Sequence, residues 1–283
     1  MKRAAFSLFV LVSAYAATIH YAPLPRGVIE KHLRDLPTTN LDREVYLRTT
    51  FERFGCTTEE QPVKHSKVPN VICRLPGESQ AEIVVGAHFD FIPKGTGAID
   101  NWSGASLLPS LYASLESVKR RHTFVFVGFT DEEKGLWGSA YYVSKLSKEQ
   151  RQRISAMVNM DSLGTSPTKL ELERGDKGLA NALSSVAKTF NLPLNVVNVH
   201  KVGISDSDSF EDKKIPSINI HSMTQETFPL LHTSGDQLTA IRMDDYYDTY
   251  KLMSAYIAYL DVILNPEAQP PASSPPAPPP AYR

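Results

Sequence analysis

Apolar positions recur along this chain with two alternating periods. Over residues 41–54 they fall at helical spacing, Leu41, Val45, Leu47 and Phe51, and the run stops at Gly55. Strand-like runs follow at 58–64, 70–75 and 83–87. A Pro-containing turn joins the first two into a predicted hairpin, while the continuous apolar run Ile83, Val84, Val85 predicts a strand buried on both faces. Further on, the pattern predicts helices over 105–118, 136–145 and 178–190, and strands over 123–129, 156–160, 196–199 and 217–220. A closing helix over 244–264 carries Tyr246, Tyr250, Met253, Ile257 and Leu260 on one stripe. This alternation predicts an α/β fold: three layers, αβα, around a central mixed, mainly parallel sheet with an antiparallel edge. No internal repeat and no inserted second domain interrupts it.

Composition narrows the picture. The chain has 283 residues, 42% of them hydrophobic, enough for one sizeable core. A net charge of -1 supplies no field for nucleic acid, and the short basic run from Lys119 to His122 reads as the solvated end of a helix. The N-terminus has Lys2 and Arg3, then an apolar stretch over 4–12 and small residues up to Ala16, so residues 1–16 read as a cleaved export signal. That stretch is too short for a permanent membrane span, which implies a secreted or periplasmic protein. Residues 266–283 form a Pro-rich tail with little to bury, expected to be disordered, leaving 17–265 as a single domain. In an oxidising compartment Cys56 and Cys73 are expected to pair, a crosslink worth about 3 kcal/mol for a loop of this length; two buried free thiols are the alternative.

The chemistry gathers where apolar strands give way to Gly- or Ser-rich turns, the edge at which α/β enzymes build their sites. His88 and Asp90 follow the 83–87 strand two residues apart, so both side chains project to one side. Asp100, in the run Asp100, Asn101, Trp102, Ser103, Gly104, stands ahead of a predicted helix, where an Asp is ordinarily a cap. Glu132 and Glu133 follow the 123–129 strand and suit a helix start equally well. Asp161 ends the 156–160 strand, and His232 leads into Thr233, Ser234, Gly235, Asp236. Asn101, Trp102, Ser103 also spells a glycosylation sequon, discounted as a chance match. His20, His32, His65, His122 and His200 lie in no comparable motif. His221 ends a predicted strand and is the remaining histidine placed to face a pocket.

Each element has an ordinary structural explanation, but together they arrive in the order HxD, DNxSG, EExGLxGS, NMDSLG and HTxxD. This combination resembles the M28 metallo-aminopeptidases over about residues 41–264. The resemblance implies the zinc exopeptidase fold and two zinc ions, and the oxygen-rich donor set would also accept cobalt or manganese. His88 and Asp161 would hold one ion, Glu133 and His232 the other, and Asp100 would bridge them. It also implies a hydroxide shared by the ions as nucleophile, Glu132 as general base and Asp90 orienting His88. Ser205 to Phe210 resembles the family's SDHxxF segment, implying Asp206, Ser207 and Phe210 near the substrate, with Ser207 where a His is usual. The peptide bond after Asp100 is expected in cis. Two divalent ions against three carboxylate ligands leave a single positive charge, suited to generating hydroxide. The expected partner is a peptide with a free N-terminus, and the expected state a monomer. Two alternatives stand: a glutaminyl cyclase with a single zinc on the same fold, and a catalytically silent binding protein, which a broken ligand set would signal.

Overall fold

A computed structural model describes residues 18–171, 175–197 and 203–266. The expected export signal at 1–16 and the body of the Pro-rich tail lie outside the described residues. So do His200 and the end of the 196–199 strand.

The strands are β1 (Thr58–Gln61), β2 (Asn70–Leu75), β3 (Glu82–His88), β4 (Thr123–Phe129), β5 (Ile154–Met160), β6 (Lys169–Glu171), β7 (Asn195–Val197) and β8 (Ser217–His221). They form one sheet in the order β1-β2-β4-β3-β5-β8-β6-β7. The four central strands, β4, β3, β5 and β8, run parallel, while β1, β2 and the β6–β7 pair join antiparallel. β3 shows why the centre is apolar on both faces. Ile83, Val85 and Ala87 pack into one core with Leu47, Phe51 and Tyr112, whereas Val84 points into a second core with Tyr142, Val143 and Phe210.

Helices α1 (Arg26–Arg34), α2 (Asn40–Arg53), the single turn α3 (Ser103–Ala105), α4 (Leu108–Glu116), α5 (Trp137–Lys145), α6 (Lys148–Arg153), α7 (Lys177–Thr189), α8 (Asp206–Glu211) and α9 (Met243–Ile263) complete the order. The first core takes residues from α1, α2, α4, α7 and α9, the second from α5 and α8. The three-layer α/β expectation therefore holds.

Several local expectations change. The first strand ends at Gln61 because Pro62 has no N–H to continue the ladder. The helix expected over 105–118 starts as α3 and resumes as α4, with Pro109 in its first turn. The Lys119–His122 run is not a helix end: α4 stops at Glu116, and His122 is fully buried against Asp261. Cys56 and Cys73 are joined in a disulfide that fastens the segment before β1 to β2. Among the described residues no helix is long and apolar enough to cross a membrane.

Candidate metal centre

The carboxyl ends of the central strands bring the acids and imidazoles together. His88 is the last residue of β3 and is 1% exposed. Its Nε2 lies 3.3 Å from Asp100 Oδ1, 3.5 Å from Asp161 Oδ1 and 4.0 Å from Glu132 Oε2. His232, on a half-exposed loop, places Nε2 3.1 Å from Asp100 Oδ2 and 2.9 Å from Glu133 Oε2. Each oxygen of Asp100 thus faces a different imidazole. Two donor sets result, His88–Asp100–Asp161 and Asp100–Glu133–His232, each with its atoms within 4.8 Å of one another. Glu132 belongs to neither.

Asp100 lies in a π-type turn, Ala98–Trp102, rather than at a helix cap. The Asp100–Asn101 peptide bond is cis, as the family resemblance implied. Asn101 is buried; its Nδ2 donates to Met160 O, and its Oδ1 accepts from Gly104 and Ser162 N–H, tying this turn to the end of β5. A buried amide so engaged is no glycosylation acceptor. Gly104 is required there, since a Cβ would come within 2.5 Å of Met160 O. Asp131, Ser162 and His232 have left-handed backbone with φ of 54°, 57° and 57°, costing about 1 kcal/mol each and clustering where geometry is dictated by function.

Asp90 does more than face His88 Nδ1 at 3.4 Å. Its carboxylate accepts from Glu132 N–H at 3.0 Å and Glu133 N–H at 3.2 Å, fixing the paired glutamates at the end of β4. Ser207 lines the adjacent cavity and exchanges a hydrogen bond with Ser205. Phe210 does not meet its expected place: it is fully buried in the second core against Phe129 and Tyr142, with no face toward the cavity. α8 turns it inward because it is the apolar anchor of that short helix. Asp206 is likewise fully buried.

Two supporting residues went unrecognised in the sequence. Arg43 of α2 is fully buried and donates to the carbonyls of Phe89, Thr96 and Gly97, stacked 4.1 Å over Phe91. It braces the loop between His88 and Asp100, and burial lowers its pKa to about 10. The only available signal was an Arg on a stripe that should be apolar. Asp236, the last position of HTxxD, accepts from Ile99 N–H at 2.7 Å and holds the Asp100 turn from the other side.

The charges do not balance without cations. Among the described residues no Lys or Arg forms an ion pair with Asp90, Asp100, Glu132, Glu133, Asp161 or Asp206; only His88 and His232 do. Burial, then the charges of Asp206, Asp161 and Asp100, push Glu132 up to about 9 against the pull of His88. Burial and Asp100 push Glu133 up to about 7, and burial pushes Asp206 up to about 7. Asp100 is held low instead: burial would raise it, but hydrogen bonds from His232 and His88 outweigh that. A buried oxygen of Glu133, Oε1, has no hydrogen-bond partner among the described residues. Crowded carboxylates sharing imidazoles, with an oxygen left over, fit a pair of divalent ions.

Known proteins resemble this chain in sequence and in fold. Residues 70–257 match the family model described as Peptidase family M28. The aminopeptidase YwaD of Bacillus subtilis is 30% identical over 183 residues, covering 62% of this chain and 40% of its own length. This chain therefore spans well under two thirds of that relative. Among solved structures, the LapA aminopeptidase of Legionella pneumophila superposes with a TM-score of 0.77 at 21% identity, over 85% of this chain and 73% of that one. BSAP, a zinc aminopeptidase from Bacillus subtilis, gives 0.61 at 26% identity over 67% and 49%. A glutaminyl cyclase of Porphyromonas gingivalis gives 0.66 at 19% identity over 83% and 96%.

Proposed function

Because the chain belongs to peptidase family M28, we propose that it is an exported, monomeric metallo-aminopeptidase that removes the N-terminal residue from peptides with two zinc ions. The observation that carries this reading is the division of the two Asp100 oxygens between two separate donor sets. His88 and Asp161 would hold one ion and Glu133 and His232 the other, with Asp100 available to both. When bound, such ions lower the pKa of water and polarise a carbonyl. Cobalt or manganese suits the same oxygen-rich set.

Glu132 is outside both donor sets and lies on the cavity wall, so its carboxylate takes the proton of the attacking water and returns it to the departing amine. Asp90 fixes the backbone of both glutamates and faces the far nitrogen of His88, keeping the ring in one orientation. The disulfide agrees with an oxidising destination.

The test is a panel of aminoacyl-anilides beside their N-acetylated counterparts, with zinc counted per chain. Hydrolysis that requires the free amine, with about two zinc ions per chain, is the expected result. Cleavage of blocked peptides would remove the aminopeptidase assignment. About one zinc ion per chain, with cyclisation of N-terminal glutamine, would favour the cyclase neighbour's chemistry instead.

A further inference from the structure

The cavity, about 1160 Å³, runs from the acid cluster over β6 and β8. Its wall is apolar at Met223, Phe228 and Leu231, but its floor carries a cation. Lys169 on β6 and His221 on β8 are direct partners in the antiparallel register, so their side chains leave the sheet on one face, and both line the cavity.

Lys169 Nζ donates to Ser166 Oγ, which leaves two of its three hydrogens unspent. Among the described residues it forms no ion pair. Burial lowers its pKa against the pull of Asp245 and Glu226; Asp245 is paired with Arg242 at 2.9 Å, and Glu226 is exposed to solvent. His221 is 9% exposed. Its Nδ1 accepts a hydrogen bond from Met223 N–H at 3.2 Å, so that nitrogen carries no proton and the ring holds its proton on Nε2. Among the described residues that Nε2 has no hydrogen-bond partner. Glu171 Oε1, 3.8 Å away, is beyond hydrogen-bond reach, and Glu171 is engaged with a partner of its own. A half-buried cation without a counter-ion and a buried donor without an acceptor are both costly to keep, and both are suited to a group that arrives from outside.

The sheet fixes the place of this pair relative to the reacting end. Asp161 N–H donates to Ile220 O at 2.8 Å, which sets His221 on the strand beside Asp161, about 4.8 Å across. Lys169 follows on the next strand out. A side chain whose own amine and carbonyl sit at the acid cluster therefore extends over His221 toward Lys169.

We infer that this floor is the subsite for the first side chain of the substrate and that Lys169 and His221 select a carboxylate there, that of N-terminal glutamate or aspartate. The inference rests on the aminopeptidase reading above. One carboxylate oxygen accepts from Lys169 Nζ–H and the other from His221 Nε2–H, so a single planar anion answers both unmet groups. Glutamine has the shape of glutamate without its charge, and its amide nitrogen sets a donor against one of the two donors. Leucine leaves both unmet, and an N-terminal lysine meets the Lys169 ammonium with like charge.

The zinc-loaded full chain is assayed on the anilides of glutamate, aspartate, glutamine, leucine and lysine. Glutamate or aspartate is expected to exceed glutamine and leucine in kcat/KM by about tenfold, the lower end of what a hydrogen bond to a charged group contributes. Lys169→Met is expected to cut the glutamate-to-leucine ratio by about the same factor, and Lys169→Glu to move the preference to the lysine anilide. His221→Phe is expected to lower the glutamate-to-leucine ratio as well, and His221→Gln, which keeps an N–H near the Nε2 position, to restore much of it. Zinc content measured in each variant shows that the neighbouring Asp161 is undisturbed. Glutamine equal to glutamate or a leucine preference in the unmodified protein, or an unchanged glutamate-to-leucine ratio in Lys169→Met, overturns the subsite and leaves the aminopeptidase reading standing. No turnover of any anilide overturns both.

Discussion

Two buried histidine–aspartate pairs sit at opposite ends of the neighbouring central strands β4 and β3, and they behave differently. At the start of β4, His122 Nδ1 lies 3.1 Å from Asp261, whose carboxylate also accepts the backbone N–H groups of Arg121 and His122. Burial would raise Asp261, but these bonds hold it below its usual value. At the end of β3, His88 is within 4.0 Å of Asp90, Asp100, Glu132 and Asp161 together. The first is one base for one acid and serves structure. The second is an excess of acid around too little base, a surplus whose chemistry suits a bound cation.

That contrast is broken most severely at Asp100. Asp100→Asn is expected to take bound zinc well below its normal content and to abolish turnover, whereas Asp261→Asn leaves zinc content unchanged; plasma emission spectroscopy on both variants checks it. Glu132→Gln is expected to retain its metal while kcat falls about 10³-fold, within the usual range for losing a general base. Near-normal kcat there would take Glu132 out of the chemistry.

Stripping zinc with a chelator sharpens the difference through pH. In the folded, metal-free protein Glu132 rises from 4.5 to about 9, Glu133 from 4.5 to about 7 and Asp206 from 3.8 to about 7. These groups keep protons when folded that they release on unfolding, so stability of the stripped protein falls as pH climbs from about 4 through 9. Thermal scans should show that slope and its loss on adding zinc back. Asp261 has the opposite sign: its stabilisation is present above 3.8 and is lost as pH falls toward its lowered value. The smallest effect is the structural one, Asp261→Asn costing about 1–3 kcal/mol in a urea melt with the zinc site intact.

The sequence carried the central strands and the site together because both depend on the same local pattern, an apolar run ending in a turn. β3, β4 and β5 were found within a residue or two at each end, and the acids and imidazoles that follow them meet in space. What was illegible depends on distant partners. β6 is three residues, Lys-Leu-Glu, with Leu170 alone packed into a core, and becomes a strand only because β8 and β7 flank it. α6 is wholly polar and is set by its Ser147 capping box rather than by an apolar stripe. Arg43 reads as a surface residue until the carbonyls of Phe89, Thr96 and Gly97 close around it. Phe210 shows the reverse error, a motif position taken for a substrate contact that the core had claimed.

The outermost strand, β1, has a consequence for how the protein behaves among extended chains. It is four residues long, exposes Glu59 and Glu60, ends before Pro62, and is held to its neighbour by the Cys56–Cys73 bond just ahead of it. Among the described residues the opposite border, β7, spans Asn195–Val197. Unpaired strand borders are templates for strand addition, and short, charged, proline-terminated ones are poor templates. On the proposed reading, peptides that reach one end of the sheet find little purchase along its sides, and strand addition or self-seeded fibre growth is discouraged by the same few residues.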